Sequence, residues 1–578
     1  MTSFPESLTV RDSRAVLLLI GVVVALFLPA VWCPSNPIDD PGILSVYGND
    51  LLTLAEVVSP GGGYYYRPLI ALSFYLDYHV LAQDIRLLHL ENVLIHATNA
   101  VLLFLFGRRL FPKAASVVPL AAALIFALHP VNTEAVNWIA GRTDPLAALF
   151  VLLAGLALCR GLATGRGRWT VASVALTLFG ALAKETALFM IPASFLIVQA
   201  WISQHPQRSD SARRQRIVLA AASLALSLLF AFLFSYRALS HGNSVATLMQ
   251  GHRPDLFGSV LVLLKSAGFY VKKMLFPWPL NIAIDSVSAW YLVPALAALL
   301  LLWRSPKTSP WLAMTCTGFM FLMPPLAVAL FGVAWTPVAE RYLYIPSLFF
   351  SLGGAGWFFS SAASLGKQRL AAPVLVSVLV ILAFGTWQRI SVWRDNIALY
   401  RDAVAQSPDF AMLHNTLAVL YAKGGRIDEA HRELNLASSL EPSELLKVLI
   451  RKNRISLAIY GVPPEEARRT LNLYLGKPAQ EDTELLDALR KIDVVLIRKA
   501  PAGAERDEMS RELVEVNEEL YARTRDPLLL YHTGQLLLGL GEEKRAGAYF
   551  GRSFGAASEG AYYKAAAGKL AAKYGEGR

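Results

Sequence analysis

Cysteine and charged residues are both scarce in this sequence. Only 3 of its 578 residues are cysteines, Cys33, Cys159 and Cys316, and only 17% are charged. The segment after Arg394 has no cysteine, which excludes a disulfide framework there, and no cysteines have the spacing of a zinc site. With 55% hydrophobic residues and so few charges, the composition is typical of a membrane protein and excludes an ordinary soluble enzyme.

The net charge of +11 comes entirely from the apolar part of the chain, because basic and acidic residues balance from Arg394 onward. Such an excess is typical of the short cytoplasmic loops of a membrane protein. We therefore interpret it as a topology signal and expect no nucleic-acid partner.

The apolar residues form blocks long enough to cross a bilayer, which takes roughly 20 residues as a helix. The first block, residues 15–33, has no small-residue cleavage site after it, so we interpret it as a retained span and not as a signal peptide. The remaining spans of a predicted bundle of about 11 lie near residues 91–107, 114–129, 144–160, 169–183, 186–202, 217–236, 289–303, 311–332, 342–362 and 370–388.

Lysine and arginine concentrate in every second loop of this bundle, for example at Arg108 and Arg109, at Arg213 to Arg216, and at Arg304. Loops of this kind stay in the cytoplasm. The predicted N-terminus is therefore cytoplasmic, and an odd number of spans predicts that the C-terminal segment lies outside.

Residues 391–578 form the second predicted domain, a soluble helical-repeat solenoid after the membrane domain of residues 1–390. The segment from Ala411 matches a tetratricopeptide repeat of roughly 34 residues, with Leu417, Ala418, Tyr421, Gly425, Ala430, Leu434, Ala437 and Pro442 at its signature positions. A half-repeat precedes it at Tyr400, Ala403 and Pro408, and a weaker copy follows near residues 527–554. The pattern predicts an all-α scaffold whose concave face would hold a partner.

Two adjacent acids, Asp39 and Asp40, stand in the first predicted outer loop. Neighbouring carboxylates raise each other's pKa, which suits one of them to accept a proton. Alternatively the pair forms a turn and a helix cap before Ile43, because Asp-Pro-Gly is favourable turn chemistry. The sequence leaves both interpretations open.

The second predicted span opens with a polar stripe at helical spacing, formed by His89, Asn92, His96 and Asn99. Polar side chains at membrane depth usually face a cavity or a partner helix. The stripe therefore predicts either a wall of a functional pocket or hydrogen bonding between helices.

The other predicted outer loops carry cations beside anions, together with aromatic residues. We expect four of these cations, Arg67, Arg142, Lys184 and Arg341, to converge on one outward-facing pocket. The further candidate pocket residues are His129, Glu134, Glu185, Glu340, Tyr342 and Tyr344. Cations that converge near a carboxylate base suit transfer from a lipid-linked phosphate donor, because the departing phosphate must be stabilised while the acceptor hydroxyl loses its proton.

These residues, in this order, resemble the GT-C class of polytopic glycosyltransferases. The chain is most similar to bacterial members of the transmembrane and tetratricopeptide-repeat O-mannosyltransferase family, over roughly residues 15–440. The resemblance rests on Asp39-Asp40-Pro41, Tyr66-Arg67-Pro68-Leu69, His89 with Asn92 and His96, His129-Pro130-Val131, Glu134-Ala135-Val136, Gly141-Arg142, Lys184-Glu185-Thr186, Phe276-Pro277-Trp278-Pro279-Leu280 and Glu340-Arg341-Tyr342-Leu343-Tyr344-Ile345-Pro346.

The resemblance implies an inverting transferase in the bacterial inner membrane, with Asp39 and Asp40 as the paired acids of the class and one of them as the base. It implies a dolichyl- or undecaprenyl-phosphate sugar as donor, a mannose or another hexose as the sugar, and no metal or other cofactor. The acceptor is a protein Ser or Thr hydroxyl or a glycan outside the cytoplasm, with the repeat domain as a candidate site for holding it.

Two alternatives remain open at this stage. One is a ligase that transfers an oligosaccharide from a polyprenyl diphosphate. The other is a membrane anchor without catalysis that presents the repeats to partners, and it leaves the ordered polar loops unexplained.

Overall fold

The computed structural model describes residues 9–47, 53–58, 66–81, 84–112, 117–208, 210, 212–225, 228, 255–332, 334, 336–440, 442–458, 463, 465–469, 483–557, 561 and 563–575. Over these ranges the chain is helical, and the only pairing of extended backbone is an isolated bridge between Ile284 and Val338. The predicted all-α class is confirmed. The chain divides into two compact units, Met1–Asp409 and Phe410–Arg578.

We number sixteen helices in the first unit. They are α1 (Val10–Phe27), α2 (Asp40–Tyr47), α3 (Leu54–Val58), α4 (Pro68–Leu81), α5 (Ile85–Leu110), α6 (Val117–Leu128), α7 (Thr133–Asn137), α8 (Thr143–Thr164), α9 (Gly167–Ala183), α10 (Met190–Gln204), α11 (Leu256–Leu275), α12 (Leu292–Arg304), α13 (Pro310–Phe331), α14 (Tyr344–Ser364), α15 (Gln368–Trp393) and α16 (Asn396–Gln406). Short 3₁₀ turns extend several of them, at Leu28–Trp32, Pro130–Asn132, Ala140–Arg142, Glu185–Phe189 and Glu340–Leu343.

Local sequence sets where these helices begin and end. Thr9 and Asp12 form a reciprocal cap at the start of α1, and Asp84 accepts a hydrogen bond from the backbone of Arg86 at the start of α5. Helix α8 ends at Gly165, which has a φ of 69° that favours glycine. The boundaries therefore follow ordinary capping chemistry, even inside an apolar chain.

Helix α5 lies in the middle of the bundle and packs against α1, α6 and α8. Small residues permit the closest crossings. A Cβ on Gly155 of α8 would lie 2.8 Å from the ring of Phe106 in α5, and one on Gly356 of α14 would collide with the Trp311 ring of α13. Glycine at such crossings is typical of helix packing in membranes.

Six helices within the described ranges are long and apolar enough to cross a membrane, or seven if the bent pair Val117–Leu128 and Pro130–Asn137 counts as one span. The chain is a multi-pass membrane protein. A helix coincides with every predicted span over its described residues, and for the span at 217–236 these are residues 217–225 and 228. The exact number of spans stays a prediction.

Besides the short helices α2, α3, α7 and α16, two helices of the first unit do not appear among the predicted spans. Helix α4 is only 14 residues long and carries Asp77 and His79. Helix α11 is 20 residues long, and three lysines, Lys265, Lys272 and Lys273, interrupt its apolar pattern. Because of these polar residues, neither helix has the uninterrupted apolar block that indicates a span.

The second unit consists of helices that pack as sequential neighbours. They are α17 (Ala411–Lys423), α18 (Ile427–Ser439), α19 (Glu444–Ala458), α20 (Thr483–Lys499), α21 (Ala504–Thr524), α22 (Pro527–Gly539), α23 (Glu543–Ala556) and α24 (Lys564–Tyr574). In the pairs α17–α18 and α22–α23 the chain turns at Gly425 and Gly541, with φ values of 74° and 78°. The tetratricopeptide assignment itself stays a prediction.

Candidate active site

The loops that carry most of the candidate residues meet at one end of the first unit. They enclose a cavity of about 360 Å³, within the range of roughly 300–1,000 Å³ that is usual for small-molecule sites. Its lining residues are Asp39, Arg67, Trp138, Ala140, Gly141, Thr143, Lys184, Glu185, Thr186, Pro324, Pro325, Val328, Ala334, Arg341 and Tyr342. The fold thus brings together one acid of the first loop and three of the four candidate cations.

The two adjacent acids have different surroundings. Asp39 is exposed and lines the cavity. Loss of surrounding water raises the pKa of its carboxyl, and the nearby Arg341 guanidinium opposes that rise. An exposed carboxylate with a raised pKa is suited to take up a proton from a bound group.

Asp40 is fully buried and is absent from the cavity lining. Its two oxygens accept hydrogen bonds from backbone amides, of Asn36 at 2.6 Å and of Ala140 at 3.0 Å. Burial raises the pKa of this carboxyl to about 6, although both hydrogen bonds favour the charged form. Asp40 therefore ties the first loop to the loop before α8.

Glu134 holds Arg341 at the cavity wall. One oxygen of the Glu134 carboxylate accepts a hydrogen bond from Nη1 of Arg341 at 2.5 Å, and the other accepts one from its backbone amide at 3.0 Å. The guanidinium also lies over the rings of Trp138 and Tyr342, at 5.1 and 5.0 Å from their centroids. These contacts fix a planar cation whose side chain is 12% exposed toward the cavity.

The other two cavity cations are held in the same way. Arg67 makes two hydrogen bonds to the carboxylate of Glu185, at 2.6 and 3.0 Å. Lys184 donates to Asp144 at 2.6 Å, and its ammonium lies 5.0 Å from the ring centroid of Tyr342. Each cation therefore has an acid from a different part of the chain, so the cation positions exist before any ligand binds.

Arg142, the fourth candidate cation, is not among the cavity residues. It is fully buried and forms ion pairs with Asp77 of α4 at 2.5 Å and with Glu91 of α5 at 3.0 Å. Its Nε donates to Asn92 at 2.9 Å. Arg142 thus ties α4 and α5 to the turn that precedes α8, and its neighbours Gly141 and Thr143 form part of the cavity wall.

The polar stripe on α5 is buried between helices. His96 contacts the hydroxyl of Tyr344 at 2.7 Å, and Asn99 donates to the same hydroxyl at 3.2 Å. Asn92 donates to the backbone oxygens of Val136 and Trp138 at 3.3 and 3.0 Å. Asn92 thus supports the loop that ends in the cavity residue Trp138, whereas His96 and Asn99 hold Tyr344, and His89 is buried as well.

Two further candidates fix the chain around residues 274–281. His129 contacts the backbone oxygen of Met274 at 3.1 Å. Glu340 is buried, pairs with Lys273, and accepts a hydrogen bond from the backbone of Asn281 at 3.1 Å. Both residues lie outside the cavity lining.

Several residues of the site were not among the sequence-based candidates. Trp138, Thr143 and Thr186 belong to loops already singled out, whereas Pro324 and Pro325 stand inside α13 in an apolar run. Asp77 partners Arg142. The one signal that could have identified it is an acid in a helix that is otherwise apolar.

Comparison with known proteins supports the resemblance. The family model described as dolichyl-phosphate-mannose-protein mannosyltransferase matches residues 68–236. A protein O-mannosyl-transferase of Caenorhabditis elegans is 24% identical over 71% of this chain and 59% of its own length. The human protein O-mannosyl-transferase TMTC4 is 27% identical over 64% of this chain and 57% of its own length.

A shorter match is closer: the mouse protein O-mannosyl-transferase TMTC1 is 40% identical over 17% of this chain and 10% of its own length. The chain spans less than three fifths of the length of the worm and human relatives that it matches more widely. The similarity to the transmembrane and tetratricopeptide-repeat O-mannosyltransferases that the motifs indicated is confirmed.

Proposed function

We propose that this chain is a membrane glycosyltransferase that moves a hexose from a polyprenyl phosphate to a protein Ser or Thr hydroxyl, and that this hexose is mannose. The observation that carries the proposal is the cavity in which Asp39 lies with Arg67, Lys184 and Arg341. The relatives named above are called protein O-mannosyl-transferases, which supports mannose as the sugar and a protein as the acceptor.

The reaction is a direct displacement at the anomeric carbon. The acceptor oxygen forms the new bond to that carbon, the bond from the carbon to the phosphate oxygen breaks, and the configuration inverts. The hydroxyl proton passes to the carboxylate of Asp39, and polyprenyl phosphate leaves with the electron pair of the broken bond. A neutral hydroxyl is a poor nucleophile, so a positioned base is required.

Asp39 is the better candidate for the base because it lines the cavity. Asp40 is buried, and both of its oxygens accept hydrogen bonds from backbone amides. Arg67, Lys184 and Arg341 serve the departing phosphate. Their carboxylate partners hold them in place, and preorganised cations stabilise developing charge without first having to reorganise.

An apolar crevice beside the polar cavity supports a lipid-linked donor. It has a volume of about 410 Å³ and is lined by residues of α10, α11, α12 and α13, among them Leu196, Val271, Leu299, Met320 and Met323. Met323 directly precedes Pro324 of the polar cavity. A prenyl chain bound here would leave its phosphate near the three cations.

The cavity end of the bundle faces away from the cytoplasm in this proposal, since the Arg-rich loops such as Arg108 and Arg109 stand at the opposite ends of the same helices. The C-terminal unit then lies on the outer side as well, and it is the candidate holder of the protein acceptor. The plasma membrane of a bacterium is the proposed location.

The proposal is tested by supplying polyprenyl-phosphate mannose with a radioactive sugar to membranes that contain the protein. Label should enter the protein fraction with the wild type, and Asp39→Asn should abolish transfer because it keeps the size of the side chain and removes its basicity. Asp285→Asn, which changes an exposed loop acid outside the cavity lining, is the matched control and should retain activity.

A normal rate in Asp39→Asn would refute the mechanism. Wild-type protein that adds no label beyond membranes lacking it would favour a membrane anchor without catalysis. Transfer from a polyprenyl-diphosphate oligosaccharide, with none from the monophosphate donor, would instead favour the ligase.

A further inference from the structure

Asn36 makes hydrogen bonds to the residues on both sides of Asp39. Its side-chain oxygen accepts a hydrogen bond from the backbone amide of Ile38 at 3.0 Å, and its backbone amide donates to the carboxylate of Asp40 at 2.6 Å. Asn36 is 1% exposed, and its Nδ2 makes no hydrogen bond within the described part of the chain. The orientation of its amide group therefore depends on the contacts of its oxygen.

Helix α16 supplies the other contact of that oxygen. The hydroxyl of Tyr400, a fully buried residue, donates to Oδ1 of Asn36 at 3.1 Å. One helical turn earlier, Asn396 donates from Nδ2 to the backbone oxygen of Ser35 at 2.9 Å. Residues four apart share one face of a helix, so one face of α16 holds two consecutive residues of the first loop.

The geometry points to Tyr400 and Asn396 as positioning residues for the base. This inference rests on the proposed function, in which Asp39 takes the acceptor proton. Neither residue lines the cavity, so both act through Asn36 and Ser35 on the loop that carries Asp39. Helix α16, whose residues resemble half of a repeat, thus fixes a catalytic loop that lies far from it in the sequence.

Removal of the Tyr400 hydroxyl leaves the ring and its packing in place. Asn36 then keeps only the contact with Ile38 on its oxygen, and the carboxylate of Asp39 loses part of its orientation. Since a displacement of about 1 Å costs on the order of 100-fold in rate, a smaller loosening should cost about 10-fold.

The test measures kcat and the KM for polyprenyl-phosphate mannose in Tyr400→Phe. We expect kcat to fall about 10-fold while the KM for the donor stays unchanged, because no phosphate or lipid contact is altered. Asn396→Ala should act in the same direction. The matched control is Gln406→Leu on the same helix, because Gln406 donates to Leu280 and Asp402 and not to the first loop; its kcat should remain normal.

A second measurement separates positioning from general stability. In an Asp39→Glu background the carboxylate is already displaced, so adding Tyr400→Phe should cause no further loss of kcat. Three results would overturn the inference: a normal kcat in both Tyr400→Phe and Asn396→Ala, equal losses in Tyr400→Phe and Gln406→Leu, or a further 10-fold loss in the Asp39→Glu background. A normal rate in Asp39→Asn is a distinct outcome, since it refutes the role of Asp39 as the base in the proposed function, on which this inference rests.

Discussion

Arg341 offers the sharpest test of phosphate binding, because the structure separates its charge from its shape. The guanidinium is fixed by Glu134 and lies over two aromatic rings. Arg341→Lys keeps the charge but loses the planar fork that grips phosphate oxygens in pairs. Loss of one preorganised donor group costs about 2 to 4 kcal/mol of transition-state stabilisation, which is roughly 30-fold to 1,000-fold in rate.

We expect Arg341→Lys to lose much of the transferase activity and Arg341→Ala nearly all of it. The alanine variant also leaves Glu134, whose side chain is 4% exposed, as a buried carboxylate without its ion-pair partner. Breaking a buried pair in this way destabilises a protein by about 3 to 5 kcal/mol, so lost activity could reflect lost folding.

A double variant resolves this ambiguity. Arg341→Leu with Glu134→Leu removes both charges and should recover most of the thermal stability while it stays inactive. The assay pairs the rate of sugar transfer with a melting temperature in detergent. Wild-type turnover in Arg341→Ala, or full activity in the double variant, would refute the phosphate role.

Three further predictions concern the stability of the bundle, the pH dependence of transfer and the topology. Arg142→Met should lower the free energy of unfolding by about 3 to 5 kcal/mol, because it leaves the buried carboxylate of Asp77 and the partly exposed one of Glu91 without their cation; a normal melting temperature would contradict this. The transfer rate should fall as the pH drops through the pKa of Asp39, which lies above the ordinary aspartate value, because the protonated carboxyl accepts no proton; an acid limb at or below the ordinary aspartate pKa would contradict this. A reporter active only in the cytoplasm should work when inserted between residues 204 and 216 and be silent after Arg578; the reverse pattern would overturn the proposed topology.

Much of the architecture could be predicted from the sequence, because the lipid bilayer restricts which sequences can form a spanning helix. A helix that crosses hydrocarbon needs a long apolar block, and the predicted blocks within the described ranges coincide with helices such as α5, α8 and α15. The helices that carry their own charges, α4 and α11, could not be found this way. Their polar residues, for instance Asp77 and Lys273, form ion pairs inside the protein. These helices therefore do not need an uninterrupted apolar block.

The candidate residues were recognisable because polar side chains are conspicuous next to apolar spans. Which of them meet was a separate question, since partners such as Glu134 and Arg341 or Arg67 and Glu185 stand far apart in the chain. Spacing along one helix shows a shared face, but it carries no information about the distance between two loops. Arg142 illustrates this point: its sequence context matches that of the cavity cations, yet its side chain turns to Asp77.

The helical class, the division into an apolar and a polar part, and the residue types available for chemistry all follow from hydrophobic patterning and composition, so they were predictable from the amino-acid sequence. The role of each residue depends on the packing of distant segments. It put Asp39 in the cavity and Asp40 on two backbone amides, and it joined Tyr400 of α16 to Asn36 in the first loop. Such differences arise from burial and from hydrogen bonds between distant segments, which neighbouring positions in a sequence do not encode.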